Sequence, residues 1–126
     1  MAKAKKHILV VDDEPAWLQI LAYILNKKGY EVRGESSAAA ALEALKTFKP
    51  DMIVSDVRMP DMNGFDFLDH VKHSRKVSKT PFVFISAIDD EESRNAARNL
   101  GATDYLTKPF NEDDVVRILT KHLNES

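Results

Sequence analysis

Five polar side chains stand where short apolar runs of the chain end, namely Asp12, Asp13, Asp56, Ser86 and Lys108. The first two follow the first run, and the others stand at the ends of the third, fourth and fifth runs. If these runs are parallel strands, their carboxyl ends lie along one edge of a sheet, where ligands collect in open α/β folds. The sequence therefore predicts one site of three carboxylates, one hydroxyl and one ammonium, drawn from distant segments.

The charges of this group indicate phosphoryl chemistry. Neighbouring carboxylates repel one another unless a cation lies among them. Mg²⁺ suits such a site, because it binds one or two carboxylates and leaves positions for water and phosphate oxygens. Lys108 and Ser86 would add a positive charge and a hydrogen-bond donor for the oxygens of a transferring phosphoryl group. Because no Ser–His or Cys–His pair suggests acyl chemistry, a carboxylate is the predicted nucleophile, and Asp56 is the candidate.

Strands and helices that would position these residues alternate along the chain. The first, third and fourth apolar runs are nearly continuous, as in strands covered on both faces, whereas the second alternates like an edge strand. Amphipathic helices are predicted between them, and the second of these is expected to end before Pro50. Five βα units in a row predict an open parallel sheet with helices on both faces. The predicted strands are 7–11, 30–34, 52–55, 82–86 and 105–107, and the predicted helices begin at Pro15, Ser36 or Ser37, Gly64, Asp89 or Asp90, and Glu112.

Composition restricts the class of protein. The chain has 126 residues, 18 Lys+Arg and 20 Asp+Glu, for a net charge of −2, which argues against a basic surface for nucleic acid or membrane. A hydrophobic fraction of 44% is enough for one core, and the absence of cysteine excludes disulfides and thiolate metal sites. No apolar run approaches the roughly 20 residues of a membrane span, and no signal peptide is evident. We expect one cytoplasmic domain with a basic tail at residues 1–6.

Four segments of the chain form one pattern, namely ILVVDDEP at 8–15, DVRMP at 56–60 with Asn63-Gly64, Ser86-Ala87, and GATDYLTKPF at 101–110. Each segment alone is a weak signal, but their order and their positions at strand ends are highly specific. Together they resemble the receiver domain of bacterial two-component response regulators, over essentially the whole chain. The resemblance implies a single flavodoxin-like (βα)5 domain over residues 1–126, with strand order 2-1-3-4-5.

The resemblance implies a phosphoacceptor with a metal ion. Asp56 would accept a phosphoryl group from a phosphohistidine of a sensor histidine kinase or a histidine phosphotransfer protein. Asp13, Asp56 and the backbone carbonyl of Arg58 would hold Mg²⁺, and Asp12 would reach the ion through water. The chain would not be an enzyme beyond Mg²⁺-dependent phosphotransfer and autodephosphorylation of Asp56.

The resemblance also implies a conformational switch. Ser86 and Lys108 would bind the phosphoryl oxygens on Asp56, and Tyr105 would fill the space that Ser86 leaves. The surface of the fourth helix, fifth strand and fifth helix would then change. A downstream effector, or an output domain outside these residues, would respond to that surface, so that both a single-domain regulator and the receiver of a longer protein stay open. The family further implies a cis peptide bond before Pro109.

Other functions fit the residues less well. A phosphatase of the haloacid-dehalogenase type needs an acid two residues after its aspartate nucleophile, where this chain has Arg58. Flavin binding would need a loop rich in Ser, Thr or Gly after the first strand, whereas residues 12–15 are anionic. A degenerate receiver that binds a partner constitutively is the remaining alternative, and loss of Asp13, Asp56 or Lys108 would favour it. None is lost.

Arg58 and a few other residues carry separate expectations. Arg58 is expected to change the lifetime of phosphorylated Asp56 by affecting the access of water, although the sequence does not give the direction. His70 and His73 are expected to face solvent rather than to bind metal, and Trp17 to pack within the core or along its helix. The lysines of residues 1–6 are expected to be solvated, and the fourth helix to be weakly docked because it has few apolar residues.

Overall fold

The chain forms five βα units in a computed structural model, which describes residues 5–88 and 90–123. Each strand is followed by one helix, as the alternation of apolar and amphipathic segments predicts. Because every strand is parallel to its neighbours, all the segments that follow the strands leave from the same edge. The elements are β1 His7–Val11, α1 Pro15–Lys27, β2 Glu31–Glu35, α2 Ala38–Ala44, β3 Met52–Asp56, α3 Gly64–Lys72, β4 Phe82–Ser86, α4 Glu91–Asn99, β5 Asp104–Thr107 and α5 Glu112–Leu123.

The strands form one sheet in the order β2-β1-β3-β4-β5, which confirms the predicted fold class. The register aligns the ends of the inner strands. Asp56 at the end of β3 lies opposite Ile85, and Ser86 at the end of β4 lies opposite Thr107, the residue before Lys108. The acidic, hydroxyl and ammonium side chains therefore meet at one edge of the sheet.

Apolar side chains on the two faces of the sheet build two cores. β1, β3 and β4 contribute to both, since successive side chains of a strand point to opposite faces. Phe82 and Phe84 are fully buried under α3, with their rings 5.0 Å apart. Burying each such side chain contributes about 1.5–3 kcal/mol. Both faces of the inner strands are thus held firmly, so that their ends form a rigid base for the site.

The predicted boundaries are close to the observed ones, with one exception. Strands β2, β3 and β5 differ from the prediction by one residue, so that Asp56 ends β3 rather than following it. The second helix ends before Pro50, as expected, but the helical spacing of Leu45 and Phe48 is misleading, because α2 ends at Ala44. After Leu45, whose amide still bonds four residues back, the amides of Lys46 and Thr47 bond three residues back, which tightens the chain into turns.

Side chains cap the helices where the sequence suggests. Ser37 caps α2 by accepting from the amide of Ala40 at 3.1 Å, and Asp90 caps α4 by accepting from Ser93 at 2.7 Å. Asp89, the other predicted start of α4, lies outside the described residues. The Lys108–Pro109 peptide bond is cis, as the resemblance implies. No helix in the described ranges is long and apolar enough to cross a membrane.

The two last helices are attached to the sheet with different strength. Of the residues that the structure describes in α4, Ala97 alone is buried, in agreement with the expected weak docking. In contrast, α5 buries four side chains and is bonded to the start of β5, where His122 Nε2 lies 2.7 Å from Asp104 Oδ2. Burial acts to raise the pKa of Asp104, but the bonds from His122 and from the Tyr105 amide outweigh it and lower that pKa.

The basic tail is less free than expected. Lys3 lies outside the described residues, and Lys5 is exposed. Lys6 is exposed as well, as predicted, but its ammonium also donates to the carbonyl of Leu123 at 3.2 Å. The end of a helix leaves carbonyl groups without partners, and a lysine there satisfies one of them.

Gly64, the first residue of α3, fits a gap that has no room for a side chain. Its amide donates to the carbonyl of Val57 at 2.6 Å, which holds the start of α3 against the end of β3. A Cβ atom at this position would overlap the carbonyl oxygen of Asp56 and lie 2.8 Å from Phe84 Cε1. The close approach of α3 to the end of β3 therefore requires glycine.

We expect Gly64→Ala to lower the free energy of unfolding by roughly 1–3 kcal/mol, because backbone atoms would have to move apart. Urea denaturation measures the change. Gly34→Ala is the matched control: its Cβ would come no closer than 3.6 Å, to a Leu18 methyl group, and should leave stability within about 0.5 kcal/mol of the wild type. Equal stability of both variants would contradict the steric explanation.

Candidate functional site

Three carboxylates gather at the edge where β1 and β3 end. Asp12, Asp13 and Asp56 each place one oxygen within 4.8 Å of the others. Asp12 and Asp56 are buried, with exposures of 2% and 6%, whereas Asp13 is exposed. The three residues come from two neighbouring strands, as predicted. The structure thus brings the acidic part of the predicted site together.

The Lys108 ammonium lies between the two buried carboxylates. It donates to Asp12 Oδ2 at 2.8 Å and to Asp56 Oδ2 at 3.0 Å, and Glu14 Oε1 lies 3.8 Å away. Burial acts to lower the pKa of Lys108, but the two hydrogen bonds and the negative charges outweigh it, so that the pKa is raised. Lys108 is therefore a fixed positive charge beside Asp56.

Burial shifts the pKa of the Asp12 carboxyl group in the opposite direction from that of Lys108. It raises the pKa of Asp12, and the bonds from Lys108 and from the Glu14 amide lower the pKa only in part. The negative charge of Asp56 adds to the increase. The ionised form of Asp12 therefore lowers the free energy of unfolding, and a bound divalent cation would reduce this loss of stability.

Each buried carboxylate is fixed through both of its oxygens. Asp12 Oδ1 accepts from the amide of Glu14 at 2.9 Å, and Asp56 Oδ1 accepts from the amide of Arg58 at 3.3 Å. Asp13 makes no hydrogen bond or ion pair with any residue in the described ranges. Its exposed carboxylate can therefore turn toward a ligand without breaking an internal contact.

Ser86 and Tyr105 bond to the backbone of the same residue. Ser86 Oγ accepts from the amide of Ile88 at 3.0 Å, and the Tyr105 hydroxyl donates to the carbonyl of Ile88. Tyr105 is buried, and the Arg94 guanidinium lies 4.8 Å from the centre of its ring while donating to Thr107 Oγ1 at 2.7 Å. Although β5 is an edge strand, Tyr105 is therefore buried and is held by contacts with Ile88 and Arg94.

The site opens into a cleft of about 520 Å³, and Trp17 forms part of its wall. Trp17 packs against a neighbouring side chain, with 5.2 Å between its ring centre and that of Phe110, and its ring centre also lies 4.9 Å from Lys108 Nζ. No local signal in the sequence marks the contact with Lys108, because Trp17 stands in the first turn of α1 like any other apolar residue of an amphipathic helix. His70 in α3 and His73 directly after it are exposed, as expected, and do not line the cleft.

The arrangement suits a hard cation and a phosphoryl group. Its donors are carboxylate oxygens, which Mg²⁺ prefers, and the Lys108 ammonium lies 3.0 Å from Asp56 Oδ2. Ser86 and Arg58 also line the cleft, so that hydroxyl and cationic groups border the space above Asp56. A ligand in this cleft would meet the carboxylates of Asp13 and Asp56 together with the positive charge of Lys108.

The family of the protein follows from comparison with known sequences. Residues 8–120 match the model of the response regulator receiver domain. The chain belongs to this family, whose members are signalling domains. The matched range includes Asp12, Asp13, Asp56, Ser86 and Lys108.

Known relatives support the same family. The chain is 36% identical to the chemotaxis protein CheY of Thermotoga maritima, covering 92% of this chain and 96% of that protein. It is 37% identical to the alkaline phosphatase synthesis transcriptional regulatory protein PhoP of Bacillus subtilis, covering 87% of this chain and 45% of PhoP. The chain thus spans about half the length of PhoP and nearly all of CheY.

A solved structure shows the same fold. The chemotaxis response regulator CheY4 of Vibrio cholerae superimposes with a TM-score of 0.89 at 30% identity, over 94% of this chain and 98% of CheY4. This agreement confirms the flavodoxin-like arrangement of five strands and five helices.

We expect Asp12→Asn to raise the midpoint of urea unfolding at neutral pH when divalent metal is removed with a chelator. Because the pKa of Asp12 is raised, its ionised form lowers stability at neutral pH, and this cost disappears as the pH falls through the raised pKa. The advantage of the variant over the wild type should therefore shrink with decreasing pH. An advantage that grows at low pH would contradict this account.

Asp61→Asn provides a control with the opposite sign. The Asp61 carboxylate accepts from the amides of Ala39 at 2.8 Å and Ala38 at 3.4 Å. Burial tends to raise the pKa of Asp61, but these bonds outweigh it and lower the pKa. The ionised form therefore contributes stability at neutral pH, which is lost as the pH falls through the lowered pKa. Asp61→Asn should be less stable at neutral pH, with a deficit that closes in acid.

Proposed function

We propose that this receiver domain switches a signalling pathway by accepting a phosphoryl group on Asp56. The observation that carries the proposal is the contact of Asp56 with Lys108 at 3.0 Å, beside two further aspartates at one edge of the sheet. A buried carboxylate in contact with a fixed cation and close to further acidic groups that can hold a metal ion is equipped for phosphoryl transfer. The phosphoryl donor would be a phosphohistidine of a sensor histidine kinase or a histidine phosphotransfer protein.

The transfer makes one bond and breaks one. A carboxylate oxygen of Asp56 forms a bond to phosphorus while the bond from phosphorus to the donor's imidazole nitrogen breaks, and that nitrogen keeps the electron pair. Lys108 and the Ser86 hydroxyl are placed to stabilise the negative charge on the phosphoryl oxygens. In the autodephosphorylation that we expect, a water oxygen bonds to phosphorus while the bond from phosphorus to the Asp56 oxygen breaks. Asp56 keeps the electron pair and becomes a carboxylate again, and inorganic phosphate leaves.

Receiver domains bind Mg²⁺ at an acidic pocket, and the residues of this chain fit that ion. We infer that Asp13, Asp56 and the backbone carbonyl of Arg58 hold the metal, with Asp12 in contact through water. Bound Mg²⁺ would neutralise charge on the phosphoryl oxygens. The free carboxylate of Asp13 supports this assignment, because it can bind metal without losing an internal hydrogen bond.

Ile88 offers a route from the phosphoryl group to the surface. Phosphorylation adds negative charge and strong acceptors next to Ser86, which would draw the hydroxyl toward Asp56 and away from the Ile88 amide. Because the carbonyl of Ile88 also accepts from Tyr105, a shift of this segment would reach the aromatic ring. Arg94 of the weakly docked α4 contacts the Tyr105 ring. A movement of that ring would therefore shift α4 and change the surface formed by α4, β5 and α5.

The partners follow from this role. Receiver domains of this family interact with histidine kinases and with effectors. For this chain, an effector protein or an attached output domain would bind the α4-β5-α5 surface, without direct contact with nucleic acid or membrane and within the cytoplasm. The domain would comprise residues 1–126. A constitutive binding module has no support, since Asp13, Asp56 and Lys108 are all retained.

We expect intact-mass analysis to detect one labile phosphoryl group after incubation with a small-molecule phosphodonor and Mg²⁺. Asp56→Ala should abolish the adduct, since it removes the nucleophile, whereas Asp61→Ala should retain it. Chelation of Mg²⁺ should suppress the reaction in the wild type. The proposal would be wrong if no adduct formed in a folded protein that binds the metal.

Arg58 is expected to change the lifetime of the phosphorylated state. Its side chain is exposed on the wall of the cleft, two residues past Asp56, where a long cationic chain borders the path of the attacking water. Arg58→Ala and Arg58→Asn should therefore alter the rate of dephosphorylation relative to the wild type, measured as loss of the adduct with time. Unchanged rates in both variants would exclude this role.

A further inference from the structure

Trp17 presents an aromatic wall to the ammonium of Lys108. It lies in the first turn of α1, half-buried, with its ring tilted against Phe110 at 35° and 5.2 Å between ring centres. Phe110 follows Lys108 by two residues, so that the contact between the Trp17 and Phe110 rings joins α1 to the segment after β5. Lys108 Nζ lies 4.9 Å from the centre of the Trp17 ring. The ammonium is therefore held by two carboxylates and by the tryptophan.

This third contact differs in kind from the other two. A lysine ammonium over an indole ring is attracted by the electron-rich face, and the attraction increases where both groups are shielded from water. Lys108 is only 7% exposed. Unlike Asp12 and Asp56, the ring offers no hydrogen-bond acceptor, and unlike Asp56 it is not modified by phosphorylation. It can hold the ammonium while the carboxylate bonds rearrange.

We propose that Trp17 is a positioning residue for phosphoryl transfer, which fixes the Lys108 ammonium beside the oxygen of Asp56 that receives phosphorus. This inference rests on the proposed function and deepens it. As the oxygen of Asp56 bonds to phosphorus and the donor's leaving group departs with its electron pair, Lys108 must turn from the carboxylate to a phosphoryl oxygen. An ammonium already restrained by the ring needs less reorganisation for that step.

Substitution of Trp17 tests the contact. With a small-molecule phosphodonor and Mg²⁺, we expect Trp17→Leu to slow formation of the adduct on Asp56 roughly three- to tenfold, and Trp17→Phe to restore part of the rate. Tyr23→Leu is the matched control, because Tyr23 lies on the same helix with Lys27 Nζ 5.3 Å from its ring, away from the cleft. Its rate should equal that of the wild type.

A second measurement separates the ring's charge distribution from its packing. The chain has one tryptophan, so that growth on fluorinated tryptophan alters Trp17 alone. Added fluorine atoms weaken the attraction of the ring for a cation while nearly keeping its shape. The phosphorylation rate should fall stepwise with fluorine content, in a protein whose urea midpoint is unchanged. If Trp17→Leu does not fold, the fluorinated proteins still test the proposal.

The outcomes distinguish this inference from the proposed function. A wild type that forms no adduct overturns both. A wild type that is phosphorylated, with Trp17→Leu reacting at the same rate, overturns the positioning role alone. The positioning role is also overturned if Trp17→Leu reacts slowly but the phosphorylation rate of the wild-type sequence does not change with the fluorine content of Trp17. In that case Trp17 would act only by packing.

Discussion

The ammonium of Lys108 is the charge on which the carboxyl edge of the sheet depends. Asp12 and Asp56 are buried at the ends of β1 and β3, and carboxylates removed from water are costly unless a cation lies close. Lys108 arrives from the end of β5, two strands away from β3, and bonds both. A single side chain thus joins three strands, and in the proposed function the same contact would prepare Asp56 for a phosphoryl group.

Much of this arrangement could be predicted from the sequence. Continuous apolar runs indicated the inner strands, and the residues that end them indicated Asp56, Ser86 and Lys108. The order of the strands came from the family resemblance. The end of α2 was missed because Leu45 and Phe48 continue the helical spacing into turns, where a partly buried side chain packs equally well without helical backbone.

Other parts of the site depend on tertiary contacts that leave no local signal. Trp17 looks like any apolar residue of an amphipathic helix until Lys108, from the far end of the chain, folds over its ring. The position of Ile88 was missed for another reason. Its contribution comes through its amide and carbonyl groups, which every residue except proline has, so that its side chain carries no information about the contact.

The bond between Asp104 and His122 has a consequence for any protein that binds beside it. Because it fastens the end of α5 to the start of β5, α5 would be the fixed element beside the shift of α4 that the proposed switch involves. A binding partner that contacts α5 alone would then bind both states equally. A partner that discriminates between the states would have to span both helices, so that the spacing between two contact points, rather than the shape of either one, would convey the signal.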